Sequence, residues 1–188
     1  MYKICKMEES LRRQRDLEAG LLRFMQKMPY DKITLSSLCT ELGVSRKTFY
    51  RYFPTKEDAL LALIDHTLTD CNLAVFAKWE GKKHFETVHL EQFFSYWYGQ
   101  KDFLDVIRDN GFCYLLLDRT TLVVDAIKAG EMPTEFAKEQ VEYFIAHGLI
   151  ATILRWHRFG FRSTSKEMAE VFAQLLHSPN VSITKLML

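Results

Sequence analysis

Apolar positions recur along this chain at helical spacing, and nowhere do they keep up the two-residue rhythm of a strand. Over Glu8–Met28, Leu11, Leu17, Leu21, Leu22, Phe24 and Met25 gather on one side, with Arg12, Arg13, Arg15 and Arg23 largely elsewhere, until Pro29 ends the run. Thr34 suits the N-cap of a short helix through Leu42, which Gly43 stops, and Ser45 suits the cap of a second one to about Tyr52. Past Pro54-Thr55 the pattern predicts a long helix from Lys56 to about Trp79. Further helices follow at about Phe85–Tyr98, Lys101–Arg108, Phe112–Ala129, Thr134–Phe159 and Ser165–His177, divided by Gly99, Asn110-Gly111, Gly130 with Pro133, and Gly160, with Pro179 after the last. The expected fold is all-α with about nine helices. A three-helix unit at residues 1–56 is joined by a connecting helix at about 56–79 to a larger bundle over 80–188, and the basic stretch Gly81–His84 marks the seam.

The two short helices meet at Gly43-Val44, a turn tight enough to need a residue at ease with positive φ. Leu38 and Leu42 lie one turn apart and point at Phe49 and Phe53, also one turn apart on the next helix, which is the spacing of a helix-turn-helix. With that side buried, the second helix would show water Ser45, Arg46, Lys47, Thr48, Tyr50, Arg51 and Tyr52. This set has three cations, two hydroxyls, two phenols and no carboxylate. Arg and Lys reach guanine edges or phosphates, Thr meets a thymine methyl, and a phenol donates to phosphate. A two-helix corner with a purely structural role is the competing explanation.

Charge sharpens the picture only when divided. The whole chain carries +1, but residues 1–56 hold 12 Lys/Arg against 6 Asp/Glu, a net +6, and residues 57–188 hold 13 against 18, a net −5. A basic module ahead of an acidic one fits nucleic-acid or anionic-membrane binding by the first part, or a solvated surface.

The run YDKITLSSLCTELGVSRKTFYRYFPTKEDALLALID resembles the tetracycline-repressor (TetR) family of bacterial transcription regulators, with its N-cap Thr, Gly-Val-Ser turn, Thr-Phe-Tyr recognition helix and following Lys-Glu. The strong resemblance covers about Leu11–Asp65. The segment FIAHGLIATILRWHRFGFRSTSKEMAEVFAQLL is similar, more weakly, to the C-terminal domain common in the family's Firmicutes members. The resemblance implies that Thr34 and Ser36 hold phosphate at a helix N-terminus, that Ser45, Arg46, Lys47 and Thr48 enter the major groove, and that Tyr50 and Tyr52 touch phosphate or a thymine methyl. Lys56 would anchor the DNA backbone. Lys47 departs from the small residue or Pro of many relatives, leaving open whether it reads a base or a phosphate, and Cys39 replaces a frequent Ala.

A recognition helix this short reads few base pairs, so a two-fold dimer on a palindromic double-stranded operator is expected, its two reading heads about 34–36 Å apart or a multiple of that. Phe144–Leu154 is apolar all round, and Gly148 with Ala151 permits close backbone approach. The expected interface between copies comprises Ile145, Gly148, Leu149, Thr152, Val171, Phe172 and Leu175; a helix enclosed within one copy is the alternative. The resemblance also implies a small-molecule effector in the larger domain, and Trp97, Phe112, Tyr143 and His147 are the candidates to line its pocket. Core packing accounts for the same aromatic residues.

Other classes fit less well. The longest apolar stretch contains a His and falls short of the ~20 residues a membrane span needs. The N-terminus lacks the ~7–15-residue apolar core of a secretory signal. Cys5, Cys39, Cys71 and Cys113 stand over thirty residues apart, as in a reduced bacterial cytoplasm. No Gly-x-Ser-x-Gly, Gly-rich phosphate loop or His-Glu-x-x-His appears, and His84 with His89, Asp65 with His66, and His147 form no catalytic or metal set. No enzyme, cofactor or metal is expected. The expected function is a ligand-responsive, DNA-binding repressor; the alternative is an adaptor or coactivator that keeps the fold and acts through a protein partner.

Overall fold

The computed structural model describes residues 2, 7–76, 87–120 and 134–177. Among these the chain is all-α: α1 (Glu8–Met25), a 3-10 turn (Tyr30–Lys32), α2 (Leu35–Glu41), α3 (Arg46–Tyr52), α4 (Lys56–Phe76), α5 (Thr87–Gly99), α6 (Lys101–Asp109), α7 (Cys113–Asp118), α8 (Glu135–Arg158) and α9 (Ser165–His177). The expected helix ends at Trp79, Phe85 and Ala129, the Gly81–His84 seam, Gly130 with Pro133, Pro179 and Cys5 lie outside the described residues.

The chain forms two compact units. The first joins residues up to Leu68 with Asp102–Arg119, and the second joins Thr69–Lys101 with the chain from Thr120 onward. This differs from the division expected from the sequence, because α6 and α7 pack with the N-terminal helices rather than with the rest of the C-terminal half. Helix α6 shows why it packs at all: Phe103, Leu104, Val106 and Ile107 are buried, while Lys101, Asp102, Arg108 and Asp109 face water. Helix α7 ends at Asp118, well before the predicted end. No Gly or Pro signals the stop; instead the Arg119 guanidinium ion-pairs with Asp65 of α4, and Thr120 is buried.

In the first unit, Leu21, Ile33, Leu38, Phe49, Phe53 and Ile64 are almost wholly removed from water. Fully burying each such side chain contributes roughly 1.5–3 kcal/mol. Glu18 of α1 and His66 of α4 form a buried pair inside this core, the imidazole Nδ1 lying 2.8 and 2.9 Å from the two carboxylate oxygens. In the second unit Phe94 of α5 meets Trp156 of α8 edge-on at 5.7 Å and Phe172 of α9 at 5.4 Å. The α8–α9 corner places Gly160 at φ +74° and Phe161 at φ +53°. A side chain in that left-handed region costs roughly 1–2 kcal/mol, offset here by Phe161 packing on Trp156 at 4.6 Å and on Tyr98 at 5.1 Å.

Candidate nucleic-acid interface

The helix-turn-helix is built by local signals. Thr34 and Ser37 form a reciprocal capping box at the start of α2: Thr34 Oγ1 accepts from the Ser37 N–H at 3.1 Å, and Ser37 Oγ accepts from the Thr34 N–H at 3.0 Å. At its other end Gly43 adopts φ +63°, with the Gly43 N–H bonded to Thr40 O and the Val44 N–H to Cys39 O. Ser45 Oγ then accepts from the Thr48 N–H at 3.0 Å and pairs with the Thr48 hydroxyl at 2.9 Å. These bonds fix where α3 starts. Phe49 and Phe53, ring centroids 5.5 Å apart, brace its inner side. Leu42 does not complete that inner layer. It is half-buried and lies against Gly20 of α1, where any Cβ would meet its Cδ2 at 2.0 Å.

Of the residues assigned to DNA from the sequence, Thr34, Ser36, Ser45, Arg46, Lys47 and Tyr50 are exposed, and Thr48 is half-exposed. Together with Arg51 they give α3 an outer face of cations, hydroxyls and one phenol, with no acidic residue anywhere in Arg46–Tyr52. The Arg46 guanidinium donates to Ser36 Oγ, so the starts of α2 and α3 are tied across the outer surface.

Two residues of the set are less exposed than the sequence suggests. Tyr52 was expected among the exposed set, but its relative exposure is only 8%. It sits three residues after Phe49, on the same side of a 3.6-residue turn, and is drawn into the core with it. Among the described residues its hydroxyl is met by Arg51 Nη2 at 3.4 Å, so on α3 it is Tyr50 that presents a phenol outward. Lys56 was expected to anchor DNA. Its half-buried ammonium instead donates to the carbonyls of Tyr30 at 2.9 Å and Ile33 at 2.7 Å, and lies 3.9 Å from the centroid of the Tyr30 ring. These bonds hold the Tyr30–Ile33 backbone to the start of α4.

The four effector-pocket candidates are divided between the two units. Phe112 belongs to the first unit and packs edge-on against Tyr30 at 5.1 Å. Trp97 is fully buried in the second unit beside Phe93 and Tyr96. Tyr143 is 63% exposed on α8, and His147 stacks on it at 3.7 Å. Clefts of about 690 and 290 Å³ in the first unit involve none of the four.

Helices α8 and α9 are buried on one side only. Ala146, Leu149, Ile150, Ile153 and Trp156 turn inward, while Phe136, Phe144, Gly148 and Ala151 form an exposed stripe on α8. Among the expected interface residues, Gly148, Val171 and Leu175 are exposed, and Ile145, Thr152 and Phe172 are half-buried. Leu149, 7% exposed, faces the interior of its own unit. The sequence reading passed over Phe144, 57% exposed, because an all-round apolar helix gives no sign of which side its own core takes.

No group of three or more His, Cys, Asp or Glu able to hold a metal occurs among the described residues. Burial raises the thiols of Cys39 and Cys113, and pushes Cys71 up to about 12, away from nucleophilic chemistry. No described helix is long and apolar enough to cross a membrane.

Residues 19–63 match the family of bacterial regulatory proteins named tetR. The HTH-type transcriptional regulator EthR of Mycolicibacterium smegmatis is 43% identical over 54 residues, 27% of this chain and 25% of that protein. EthR of Mycobacterium tuberculosis is 37% identical over 51 residues, 27% of this chain and 24% of the relative. The match thus spans about a quarter of the length of these curated relatives. Among solved structures, the transcriptional regulator FadR from Bacillus subtilis, in complex with stearoyl-CoA, aligns with TM-score 0.58 at 16% identity, over 87% of this chain and 97% of that one. The TetR family repressor AlkX from Dietzia sp. aligns with TM-score 0.53 at 13% identity, over 87% and 94%. At those identities the likeness is one of fold.

Proposed function

We propose, from the premise that this chain belongs to the TetR family of bacterial regulatory proteins through the domain at residues 19–63, that it is a sequence-specific transcriptional regulator acting as a dimeric repressor. The observation that carries this reading is the outer face of α3: Arg46, Lys47, Tyr50 and Arg51 exposed, no carboxylate among them, and the helix held by a cap and two buried rings. Such a face attracts phosphate and presents donors to base edges. Arg46 and Lys47 are the base-reading candidates. Arg46 must release Ser36 to reach a base, whereas Lys47 makes no hydrogen bond or ion pair among the described residues. Ser36 and Thr34, at the start of α2, are the phosphate candidates.

Dimerisation through the exposed stripes of α8 and α9 is part of the proposal, since large apolar side chains stand in water there. Release from DNA by a small molecule bound in the second unit rests on likeness to FadR, whose structure holds stearoyl-CoA. No catalytic step belongs to this function, and a cytoplasmic location follows from it.

The test is selection of duplexes from random-sequence DNA by the full chain. A palindromic sequence should emerge, with binding that weakens with salt at a log–log slope of roughly −0.9 per neutralised phosphate. Arg46→Ala should relax base preference at one position, at a cost of about 1–3 kcal/mol. Absence of any enriched sequence would favour the adaptor. A thermal-shift screen that includes stearoyl-CoA addresses the effector.

A further inference from the structure

The turn that leads into α2 is gripped from outside the helix-turn-helix. Tyr30–Lys32 is one 3-10 turn, and only Ile33 separates it from Thr34, the cap of α2. Its internal bonds run from the Lys32 N–H to Pro29 O and from the Ile33 N–H to Tyr30 O, so the Tyr30 N–H has no acceptor within the turn. Asn110 Oδ1 supplies that acceptor at 2.7 Å. The Asn110 Nδ2 donates to Val106 O at 2.8 Å, which fixes the orientation of the amide. Phe112 closes edge-on against the Tyr30 ring at 5.1 Å, and Gly111, at φ +74°, bends the α6–α7 corner that carries both side chains. On the other side of the same turn stands Lys56, bonded to the Tyr30 and Ile33 carbonyls.

We infer that Asn110 and Phe112 are positioning residues for DNA recognition: they fix the Tyr30–Lys32 turn and through it the N-terminus of α2, so that DNA affinity depends on the placement of the α6–α7 corner. The inference rests on the proposed function and deepens it. The covalent route gives it regulatory meaning. Asp102–Arg119 packs with the first unit, yet the chain enters it from Lys101 and leaves it at Thr120, both in the second unit. That segment carries the Tyr30 N–H acceptor and the ring contact. Withdrawal of both loosens the start of α2 without altering any side chain that faces DNA.

The experiment uses the full chain and the duplex that wild type enriches from random DNA, at a temperature where circular dichroism shows every variant folded. Asn110→Ala should bind this duplex roughly three- to tenfold more weakly, the loss of one hydrogen bond. The amides of Tyr30 and Ile33 should exchange faster with solvent, while salt slope and base preference stay unchanged. Asn110→Asp keeps an acceptor and should restore most of the affinity. Phe112→Leu should weaken binding as well, and with Asn110→Asp it decides the matter if Asn110→Ala does not fold. Wild-type affinity and wild-type amide exchange in Asn110→Ala and Phe112→Leu would overturn the inference while leaving the regulator reading intact. Failure of the wild-type chain to enrich any duplex would instead remove that reading, and this inference with it.

Discussion

The outer face of α3 and the outer faces of α8 and α9 are both exposed, yet they present opposite chemistry to water. On α3 Phe49 and Tyr52 have found a place inside, and what remains outside is cationic or hydroxylated, the Tyr50 phenol included. On α8 and α9, Phe136, Tyr143, Phe144, Val171 and Leu175 remain outside after the unit has formed its own core. The first surface is complete in one chain and suits a polyanion; the second is incomplete and suits another apolar surface. The difference teaches that a helix-turn-helix is specified by short-range signals, whereas the proposed interface between copies rests on what the local core leaves over.

The self-sufficiency of the first unit is most severely tested at its buried polar pair. His66→Leu keeps much of the side-chain volume but removes a donor from Glu18, whose side chain is only 2% exposed. The expected loss in urea denaturation is about 3 kcal/mol, as for a buried pair that loses one partner. The double variant Glu18→Leu/His66→Leu should regain much of it, because no buried carboxylate is then left short of partners. A single variant as stable as wild type would mean that the pair does not brace α1 against α4.

Next in size is the apolar stripe itself. Phe144→Glu places a carboxylate where Phe144 stands 57% exposed, so the folded single chain should tolerate it. If the stripe meets its copy, dissociation of the dimer should become easier by roughly thirtyfold or more, the scale of a hot-spot residue. Sedimentation across concentration reads this directly. An unchanged oligomeric state would remove α8 from the interface.

Much of the first unit was legible because its determinants lie within a few residues of one another. Thr34, Gly43 and Ser45 announce two helix ends and a turn, and each forms the predicted structure. Tyr52 was misplaced because two phenols in one short helix look equivalent in sequence, and only the packing of Phe49 decides which one turns inward. The role of Lys56 depends on two carbonyls more than twenty residues away, and the end of α7 on Arg119 meeting Asp65. The pocket candidates rest on aromatic character, and composition carries no information about location.

Two glycines compare the surfaces at about 1 kcal/mol each. Gly43 sits at φ +63° with open space around it, so Gly43→Ala should destabilise by roughly 1–2 kcal/mol through backbone strain alone. Gly148 lies inside α8, also with open space where a Cβ would stand. Gly148→Ala should therefore stabilise the isolated chain by roughly 0.8–1 kcal/mol. If two copies approach closely there, the same methyl should weaken their association. Opposite signs for folding and association in one variant would locate the contact at this backbone.

The smallest effect concerns the cap of α9, which sets where the second surface begins. The Thr164 N–H and hydroxyl donate to Glu167 Oε2 at 2.7 and 3.0 Å, and the Glu167 N–H returns a bond to Thr164 Oγ1 at 3.2 Å. The backbone bond first, then the hydroxyl, favours the ionised carboxylate and holds it below its ordinary 4.5. In the unfolded chain that preference is gone, so the folded state binds this proton less readily. The resulting stability is fully present above pH 4.5 and disappears as pH falls through the depressed folded value. Gln at this position keeps the reciprocal geometry but has no charge to lose. The difference in melting temperature between wild type and Glu167→Gln should therefore be small at neutral pH and close as the solution is acidified. A difference that stays constant down to the lowest pH would assign the cap to geometry alone, as at α2, where Ser37 takes the corresponding position without a charge.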